Sequence, residues 1–334
     1  MLSNTVSVTD LRFNYDAGMA PNLRNANYQT SDCTMSDPKL NYLPCPDSGA
    51  GHRMAYWEWG HSAASHVVVC VHGLSRQGRD FDVLAQALVA KADGAIRVLC
   101  ADVAGRGHSD WLADANGYVM PTYAADMLAL LASLGPQVQT LDWVGTSMGG
   151  LIGMTVCGQK QIPLPVPVRR LVLNDVGPTI QWEALERIGA YLGRVVQFES
   201  LQQAADAMWA ISTTFGPHTP EQWLELSRHM VKPVPGSDTA VTLHYDPAIA
   251  VPFRSVTQES AAQGEAMMWQ LYDGVTAQTL LLRGAQSDLL SPQTARMMTE
   301  RGPKARLVEF EGVGHAPTLI APDQVETVTS FLLR

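Results

Sequence analysis

Short apolar runs alternate with stretches of helical periodicity along most of this 334-residue chain. Residues 66–71 form a continuous run rich in β-branched side chains, as expected for a strand covered on both faces. Apolar residues then recur at helical spacing in 81–91, and the alternation continues to a closing helix predicted at 325–333. Repeated strand and helix units predict an α/β fold, with a mostly parallel, doubly wound sheet and helices on both faces.

Two stretches depart from this alternation. Residues 1–38 are polar and lack sustained periodicity, which predicts a partly ordered N-terminal arm. Within 178–264, helical segments follow one another without an intervening strand, which predicts an inserted helical cap. The core is then expected to comprise residues 39–177 and 265–334. Insertions into such sheets occur at the carboxyl ends of strands, where ligands bind, so we expect the cap to lie over the functional site.

Large side chains in the predicted cap are candidates for the roof of a substrate pocket: Trp182, Met208, Trp209 and Trp223. The alternative is that they form the cap's own core, because aromatic residues at helical spacing usually serve packing.

The most informative motif lies in residues 142–150. An apolar strand runs into Gly145-Thr146-Ser147-Met148-Gly149 and then into helix-forming sequence, the pattern of a nucleophile elbow. Small residues at 145 and 149 allow the helix to pass close to a sharp turn. We therefore predict that Ser147 is a nucleophile held at the end of a strand.

A serine nucleophile needs a base, and the base needs an acceptor that fixes its tautomer. His315 follows the last predicted strand, and Asp288 follows the strand before it. The chain order Ser147, Asp288, His315 is typical of this architecture. Asp288 is preferred as the acid because its loop is adjacent to that of His315. Asp175 also follows a strand and is the alternative acid.

The tetrahedral intermediate of such a reaction needs hydrogen-bond donors for its oxyanion. The backbone N–H of Met148, directly after the nucleophile, is one predicted donor. The loop after the strand 66–71 supplies the other, with Leu74 as the expected residue. We expect His72 in that loop to bond local backbone groups and not to react.

The sequence from Asp102 to Ser109 resembles a phosphate-binding loop only superficially, because its glycine spacing does not fit G-x-G-x-x-G. We interpret it as a turn in which Asp102 and Ser109 bond backbone groups and the glycines take positive φ. The histidines and cysteines show no zinc-like spacing in the sequence, so we expect no metal. Cys33 and Cys45 lie in loop-like sequence and are expected to be free thiols.

The net charge is −9, and lysine and arginine do not cluster. Nucleic acid and anionic membrane surfaces are therefore not expected as partners, which leaves a small-molecule or oligomeric substrate. The chain lacks an apolar run of membrane-spanning length, and residues 1–20 lack the features of a secretion signal. A cytoplasmic location is the resulting expectation.

Together these motifs resemble those of the α/β-hydrolase superfamily, from about residue 56 to the C-terminus. The motifs are His72-Gly73, Asp102-x-x-Gly105-x-Gly107-x-Ser109, Gly145-x-Ser147-x-Gly149, Ser287-Asp288 and Gly314-His315. The chain looks like the bacterial capped serine carboxylesterases, which implies hydrolysis of hydrophobic carboxylic esters, polyester oligomers among them, through an acyl-enzyme and without a cofactor. Carbon–carbon bond hydrolysis, thioester hydrolysis and perhydrolysis on the same triad are alternatives, because the fold does not choose the reaction. A non-catalytic hydrolase-like binding protein is a further alternative.

Overall fold

The computed structural model describes residues 37–46 and 49–334. The predicted N-terminal arm falls almost entirely outside these residues. The chain divides into two units, Met1–Asp37 and Pro38–Arg334, and the second contains all the elements described below.

One mixed sheet of eight strands forms the centre of the second unit, in the order β1-β2-β4-β3-β5-β6-β10-β11. Its strands are β1 (Lys39–Cys45), β2 (His52–Gly60), β3 (His66–Val71), β4 (Ile96–Asp102), β5 (Thr140–Thr146), β6 (Val168–Asn174), β10 (Gln278–Gly284) and β11 (Arg306–Phe310). The pairs β1–β2 and β2–β4 are antiparallel, and the remaining pairs are parallel. The predicted mostly parallel sheet is confirmed, and β1 and β2 form an antiparallel hairpin at its start.

Helices cover both faces of this sheet. They are α1 (Asp82–Lys91), α2 (Met120–Ala132), α3 (Met148–Gly158), α8 (Gln258–Gly274), α9 (Pro292–Glu300) and α10 (Pro322–Leu332). Among the described residues, no helix is long and apolar enough to cross a membrane.

Strand β3 illustrates why the sheet is buried on both sides. Val67, Val69 and Val71 belong to one apolar cluster, and Val68 and Cys70 belong to another on the opposite face. Successive strand residues point to opposite faces, so a strand covered twice must be apolar throughout. The continuous run in the sequence therefore predicted this environment correctly.

The segment between β6 and α8, here called the insertion, is not purely helical. It contains α4 (Trp182–Tyr191), β7 (Gln197–Phe198), α5 (Leu201–Ala210), α6 (Pro220–Arg228), β8 (Val231–Pro233), β9 (Val241–Leu243) and α7 (Ala250–Arg254). Strands β7, β9 and β8 form a small antiparallel sheet, so the prediction of an insertion without strands is wrong. These strands have only two or three residues, too few for period-two alternation to show in the sequence. The boundary predicted at residue 264 falls inside α8, which packs along α3 of the core.

The insertion is hydrogen-bonded to loops at the carboxyl ends of the sheet strands. The N–H of Gly314 donates to the carbonyl of Thr214 (2.5 Å), and the N–H of Gly107 donates to the carbonyl of His244 (3.0 Å). His218 bonds the Thr318 hydroxyl at 2.9 Å. The insertion therefore contacts the loop that carries His315.

Three buried or half-buried histidines make the stability of the fold sensitive to acid. Burial lowers the pKa of His72 to about 3 and the pKa values of His229 and His244 to about 4. In the unfolded chain each would bind a proton near its ordinary pKa of about 6.5. Protons bound only by the unfolded chain reduce the free energy of unfolding as pH falls below that value. Asp102 acts in the opposite direction. Burial raises the pKa of its carboxyl group to about 6, so the folded chain binds this proton at a higher pH than the unfolded chain does.

The histidines whose pKa values are lowered by burial, which also include His108 and His218, outnumber Asp102 and Asp82, whose pKa values are raised. We therefore expect the thermal unfolding midpoint to be lower at pH 5 than at pH 7. Scanning calorimetry measures it. The double substitution His229→Gln and His244→Gln should flatten the dependence between these pH values. A midpoint that rises on acidification would contradict the argument.

Candidate active site

Ser147 lies in a strained turn between β5 and α3. Its backbone has φ 51° and ψ −117°, outside the regions that a non-glycine residue ordinarily occupies. A Cβ on Gly149 would overlap the carbonyl oxygen of Val71, and one on Gly145 would overlap the carbonyl of Gly149. Glycines at these two positions therefore let the strand and helix approach closely enough to project the serine.

His315 connects Ser147 to a carboxylate. Its Nε2 lies 3.0 Å from the Ser147 hydroxyl oxygen, and its Nδ1 lies 2.7 Å from an Asp175 carboxylate oxygen. A carboxylate only accepts hydrogen bonds, so the Nδ1 proton points to Asp175 and Nε2 is left to accept from the serine hydroxyl. This is the arrangement by which a histidine removes a proton from a serine.

The carboxylate beside His315 comes from Asp175, so the preference for Asp288 is wrong. Asp288 pairs instead with Arg187 of α4 (2.7 Å), and its side chain is 49% exposed. The reason is local. Ser287, one residue earlier, turns its hydroxyl toward Asp175, whereas the side chain of Asp288 leaves the site toward the insertion. Adjacency of the two loops along the chain did not specify which side chain faces inward.

Asp175 is held rigidly at the end of β6. Its φ of 55° is left-handed, a conformation that aspartate tolerates better than most residues. One carboxylate oxygen accepts the N–H of Gly284 (2.9 Å), and the other accepts the Ser287 hydroxyl (2.6 Å) together with His315. The side chain is fully buried. These contacts fix the acceptor that orients the histidine ring.

The loop after β3 lies directly against the nucleophile, as predicted. A Cβ built on Gly73 would be 3.6 Å from the Cβ of Ser147. Met148 is the first residue of α3, where a backbone N–H has no acceptor within the helix. An oxyanion site formed by the backbone N–H groups of Leu74 and Met148 stays a prediction.

The predicted local bonding of His72 is confirmed. Its Nε2 accepts the N–H of Val103 (2.9 Å), and its Nδ1 lies 2.7 Å from the carbonyl oxygen of Gly73. Burial lowers the pKa of His72 to about 3, so the ring is neutral and donates from Nδ1. The ring therefore fixes the backbone of the loop next to Ser147.

The turn from Asp102 to Ser109 also has the predicted structure. The Asp102 carboxylate accepts the N–H groups of Gly78 (2.6 Å) and His108 (2.9 Å). Gly105 and Gly107 have φ values of 80° and 52°. This turn is structural, and it carries one residue whose importance the sequence interpretation missed.

That residue is Arg106, which is fully buried. Its guanidinium donates to the carbonyl of Leu74 (2.8 Å), to the carbonyl of Ala104 (2.7 Å) and to the Tyr123 hydroxyl (2.9 Å). A further N–H lies 3.8 Å from the sulfur of Met148. Arg106 therefore contacts both residues expected to supply oxyanion donors. Among the residues that the structure describes, it forms no ion pair with a carboxylate.

A buried cation without an anionic partner is costly unless its donors are satisfied, and here it lies next to the expected oxyanion site. The signal in the sequence was an arginine between two glycines that are required for a turn. The turn requires the two glycines but does not require a charged side chain between them. An arginine at this position therefore indicates contacts outside the turn.

We expect Arg106→Met to lower kcat by roughly 10-fold while KM changes little. The loss should be smaller than the 10²–10³ that removal of a donor itself costs, because the N–H groups remain but are less well fixed. Steady-state kinetics on a chromogenic ester measures both constants. Arg79→Met, which removes an arginine that pairs with Asp82, is the matched control. An increase in KM at unchanged kcat would contradict a role in holding the oxyanion donors.

A cavity of about 900 Å³ lies between α2, α3, α8 and the start of the insertion. Its lining is mostly apolar and includes Leu128, Leu151, Trp182 and Met268. The N–H of Leu151 donates to the carbonyl of Ser147 (3.2 Å), which places this residue one helical turn from the nucleophile. Neither Ser147 nor His315 is among the residues that line the cavity.

Of the four large side chains proposed for the pocket roof, only Trp182 lines this cavity. Trp209 and Trp223 pack edge to face on each other at 5.0 Å, and the Trp223 indole donates to the carbonyl of Ala205 (2.8 Å). Met208 lies half-buried on α5 beside Trp209. Trp209 and Trp223 therefore belong to the packing of the insertion itself, the alternative considered for them.

The chain is similar to known proteins in both sequence and fold. Residues 68–328 match the model of the Alpha/beta hydrolase family. A 3-hydroxybutyrate-oligomer hydrolase from Cupriavidus necator is 50% identical over 297 residues, which are 89% of this chain and 98% of that protein. An alpha/beta hydrolase structure from Novosphingobium aromaticivorans has 34% identity and a TM-score of 0.74, covering 90% of this chain and 99% of its own. A putative hydrolase structure from Rickettsia typhi has 25% identity and the same TM-score, with coverages of 89% and 99%.

Proposed function

This chain belongs to the alpha/beta hydrolase family, and from that premise we propose that it cleaves carboxylic esters through an acyl-enzyme on Ser147. The continuous hydrogen-bonded path from Ser147 through His315 to Asp175 is the observation that carries the proposal. The residue types and their order in this path are those of a serine hydrolase triad.

In the proposed first step, the Ser147 oxygen attacks the ester carbonyl while Nε2 of His315 takes its proton. Asp175 holds the ring and stabilises the imidazolium that forms. The backbone N–H groups of Leu74 and Met148 donate to the oxyanion, and Arg106 keeps their two residues in place. The bond between the carbonyl carbon and the alcohol oxygen then breaks, and the alcohol leaves with the proton from His315.

Water repeats the sequence in the second step. His315 removes a proton from water, the resulting hydroxide attacks the acyl carbon, and Ser147 regains its proton as it leaves. The net reaction adds one water across the ester and yields an acid and an alcohol.

We further propose that the substrate is a short oligoester of a hydroxyacid. The support is the likeness to the Cupriavidus necator hydrolase, which extends over nearly the whole of both proteins. The insertion then acts as a cap, anchored to the loops of Gly107 and Gly314. The apolar cavity beside Leu151 accommodates the part of the oligomer that is not being cleaved.

The experiment is a comparison of substrates with purified protein. Dimers and trimers of 3-hydroxybutyrate, p-nitrophenyl esters of increasing chain length, an acyl thioester and a vinylogous diketone should be assayed for kcat/KM. We expect the 3-hydroxybutyrate oligomers to give the highest values. A thioester or diketone hydrolysed orders of magnitude faster would replace ester hydrolysis as the function, and failure of a fluorophosphonate probe to label Ser147 would remove the mechanism.

Trp182 tests the role of the cavity. Trp182→Ala should raise KM for the trimer by roughly 10-fold, the effect of losing 1–3 kcal/mol of apolar contact, while p-nitrophenyl acetate hydrolysis stays nearly constant. Trp111→Ala is a control, because that tryptophan is 47% exposed and lies under Lys232. An equal loss on both substrates would mean that Trp182 supports the fold and not the binding of the longer ester.

A further inference from the structure

A second cluster of reactive side chains lies in the hairpin formed by β1 and β2. Cys45 and His52 are directly paired across the two antiparallel strands. Asp126 reaches them from α2, which packs against β1. The three residues are 3%, 6% and 0% exposed. One ligand atom from each lies within 4.8 Å of the other two, so sulfur, nitrogen and oxygen converge on one point.

The donor set selects a class of ion. Calcium and magnesium prefer oxygen ligands in larger number, whereas a thiolate, an imidazole and a carboxylate are the ligands that zinc takes in proteins. We propose that Cys45, His52 and Asp126 form a binding site for a divalent cation of the zinc class. All three lie on strands or a helix, which holds such ligands more precisely than loops do.

Room for a fourth ligand exists beside the cluster. A cavity of about 540 Å³ is lined by Cys45 and His52 together with Pro46, Gly49 and Gly51. A solvent molecule reaching the ion from this cavity completes a four-coordinate site with three protein ligands. Asp110 also borders the cavity, but it forms a bidentate pair with Arg53 and is committed to that contact.

Binding is balanced in charge and in protons. Cys45 binds the ion as a thiolate, so its thiol proton passes to solvent as the sulfur–metal bond forms. His52, whose Nε2 lies 2.9 Å from the Asp126 carboxylate, coordinates through whichever ring nitrogen carries no proton. One thiolate and one carboxylate then neutralise the dipositive ion, which removes the cost of a buried net charge.

The site joins the hairpin to α2 and is separate from the proposed catalytic centre. In the sheet order, β4 and β3 lie between β2 and β5, the strand that leads to Ser147. Three strand spacings correspond to roughly 14 Å. The ion is therefore expected to stabilise the fold, and the proposal does not depend on the substrate. The expectation of no metal was based on the absence of ligands at short spacing along the sequence. In this cluster two ligands lie opposite each other on paired strands and the third lies on a distant helix, so no such short spacing occurs.

The test uses the full chain, stripped of metal by dialysis against a chelator and then titrated with Co²⁺ and Zn²⁺. We expect one Co²⁺ per chain, with a thiolate-to-metal charge-transfer band and the visible bands of a tetrahedral ion. Zinc should raise the thermal unfolding midpoint. Cys45→Ala should abolish the charge-transfer band and weaken Zn²⁺ binding by at least about 100-fold, since loss of an outer partner alone costs 10–100-fold.

Cys157→Ala is the matched control and should bind as the unchanged protein does. If Cys45→Ala does not fold, His52→Gln provides the second test, because it retains the thiol and should still weaken Zn²⁺ binding while altering the visible bands. Absence of stoichiometric binding to the unchanged protein would overturn the proposal. So would a Cys45→Ala or His52→Gln variant that binds Zn²⁺ as tightly as the unchanged protein.

Discussion

Ser147→Ala is expected to lower kcat for ester hydrolysis by about a million-fold, the loss seen when the nucleophile of a serine hydrolase is removed. The expected size follows from the site geometry. The Ser147 hydroxyl is the group within reach of Nε2 of His315, so alanine removes both the attacking oxygen and the proton that the histidine accepts. What remains is the assistance of the oxyanion donors and of substrate binding, which is independent of the nucleophile.

The measurement must separate lost chemistry from lost structure. Thermal unfolding and binding of a non-hydrolysable ester analogue should be unchanged in Ser147→Ala, because the substitution removes one partly exposed oxygen. Ser330→Ala, on α10, should keep full activity. Retention of more than about one hundredth of the activity by Ser147→Ala would place the nucleophile elsewhere.

Much of this site could be predicted from the sequence, because its parts depend on local patterns. The elbow needs small residues at 145 and 149, and the structure shows backbone atoms where side chains would have to lie. Ser147 follows the buried strand β5 and His315 follows β11 at the partly exposed edge of the sheet, and parallel strands bring their carboxyl ends to one edge of the sheet. Position in the chain was therefore enough to bring these two residues together.

Side-chain direction within a loop was not predictable in the same way. Ser287 and Asp288 are neighbours, yet one hydrogen-bonds Asp175 and the other pairs with Arg187 on α4. The choice depends on the path of the insertion, whose helix α4 supplies the arginine, and on the left-handed backbone at Asp175. Both are tertiary features. Arg106 was missed for a related reason. It contacts Leu74 and Met148, which lie more than thirty residues before and after it in the sequence.

The two aspartates provide the most discriminating comparison. Asp175→Asn should lower kcat by about 10⁴-fold, because an amide in place of the carboxylate favours the wrong tautomer of the histidine while leaving the site nearly unchanged in shape. Asp288→Asn removes only a half-exposed ion pair with Arg187, a type of contact worth about 0–1 kcal/mol of stability. We therefore expect its kcat to stay within a few-fold of the unchanged protein.

Steady-state kinetics on one soluble ester, with the unfolding midpoint of each variant, decides between these expectations. Ser287→Ala is an informative third variant: it removes one hydrogen bond to the Asp175 carboxylate and should reduce kcat far less than Asp175→Asn does. If Asp288→Asn abolished turnover and Asp175→Asn spared it, the acid would have to move to the loop after β10. That result would require the loop to turn Asp288 inward and break its pair with Arg187 during catalysis.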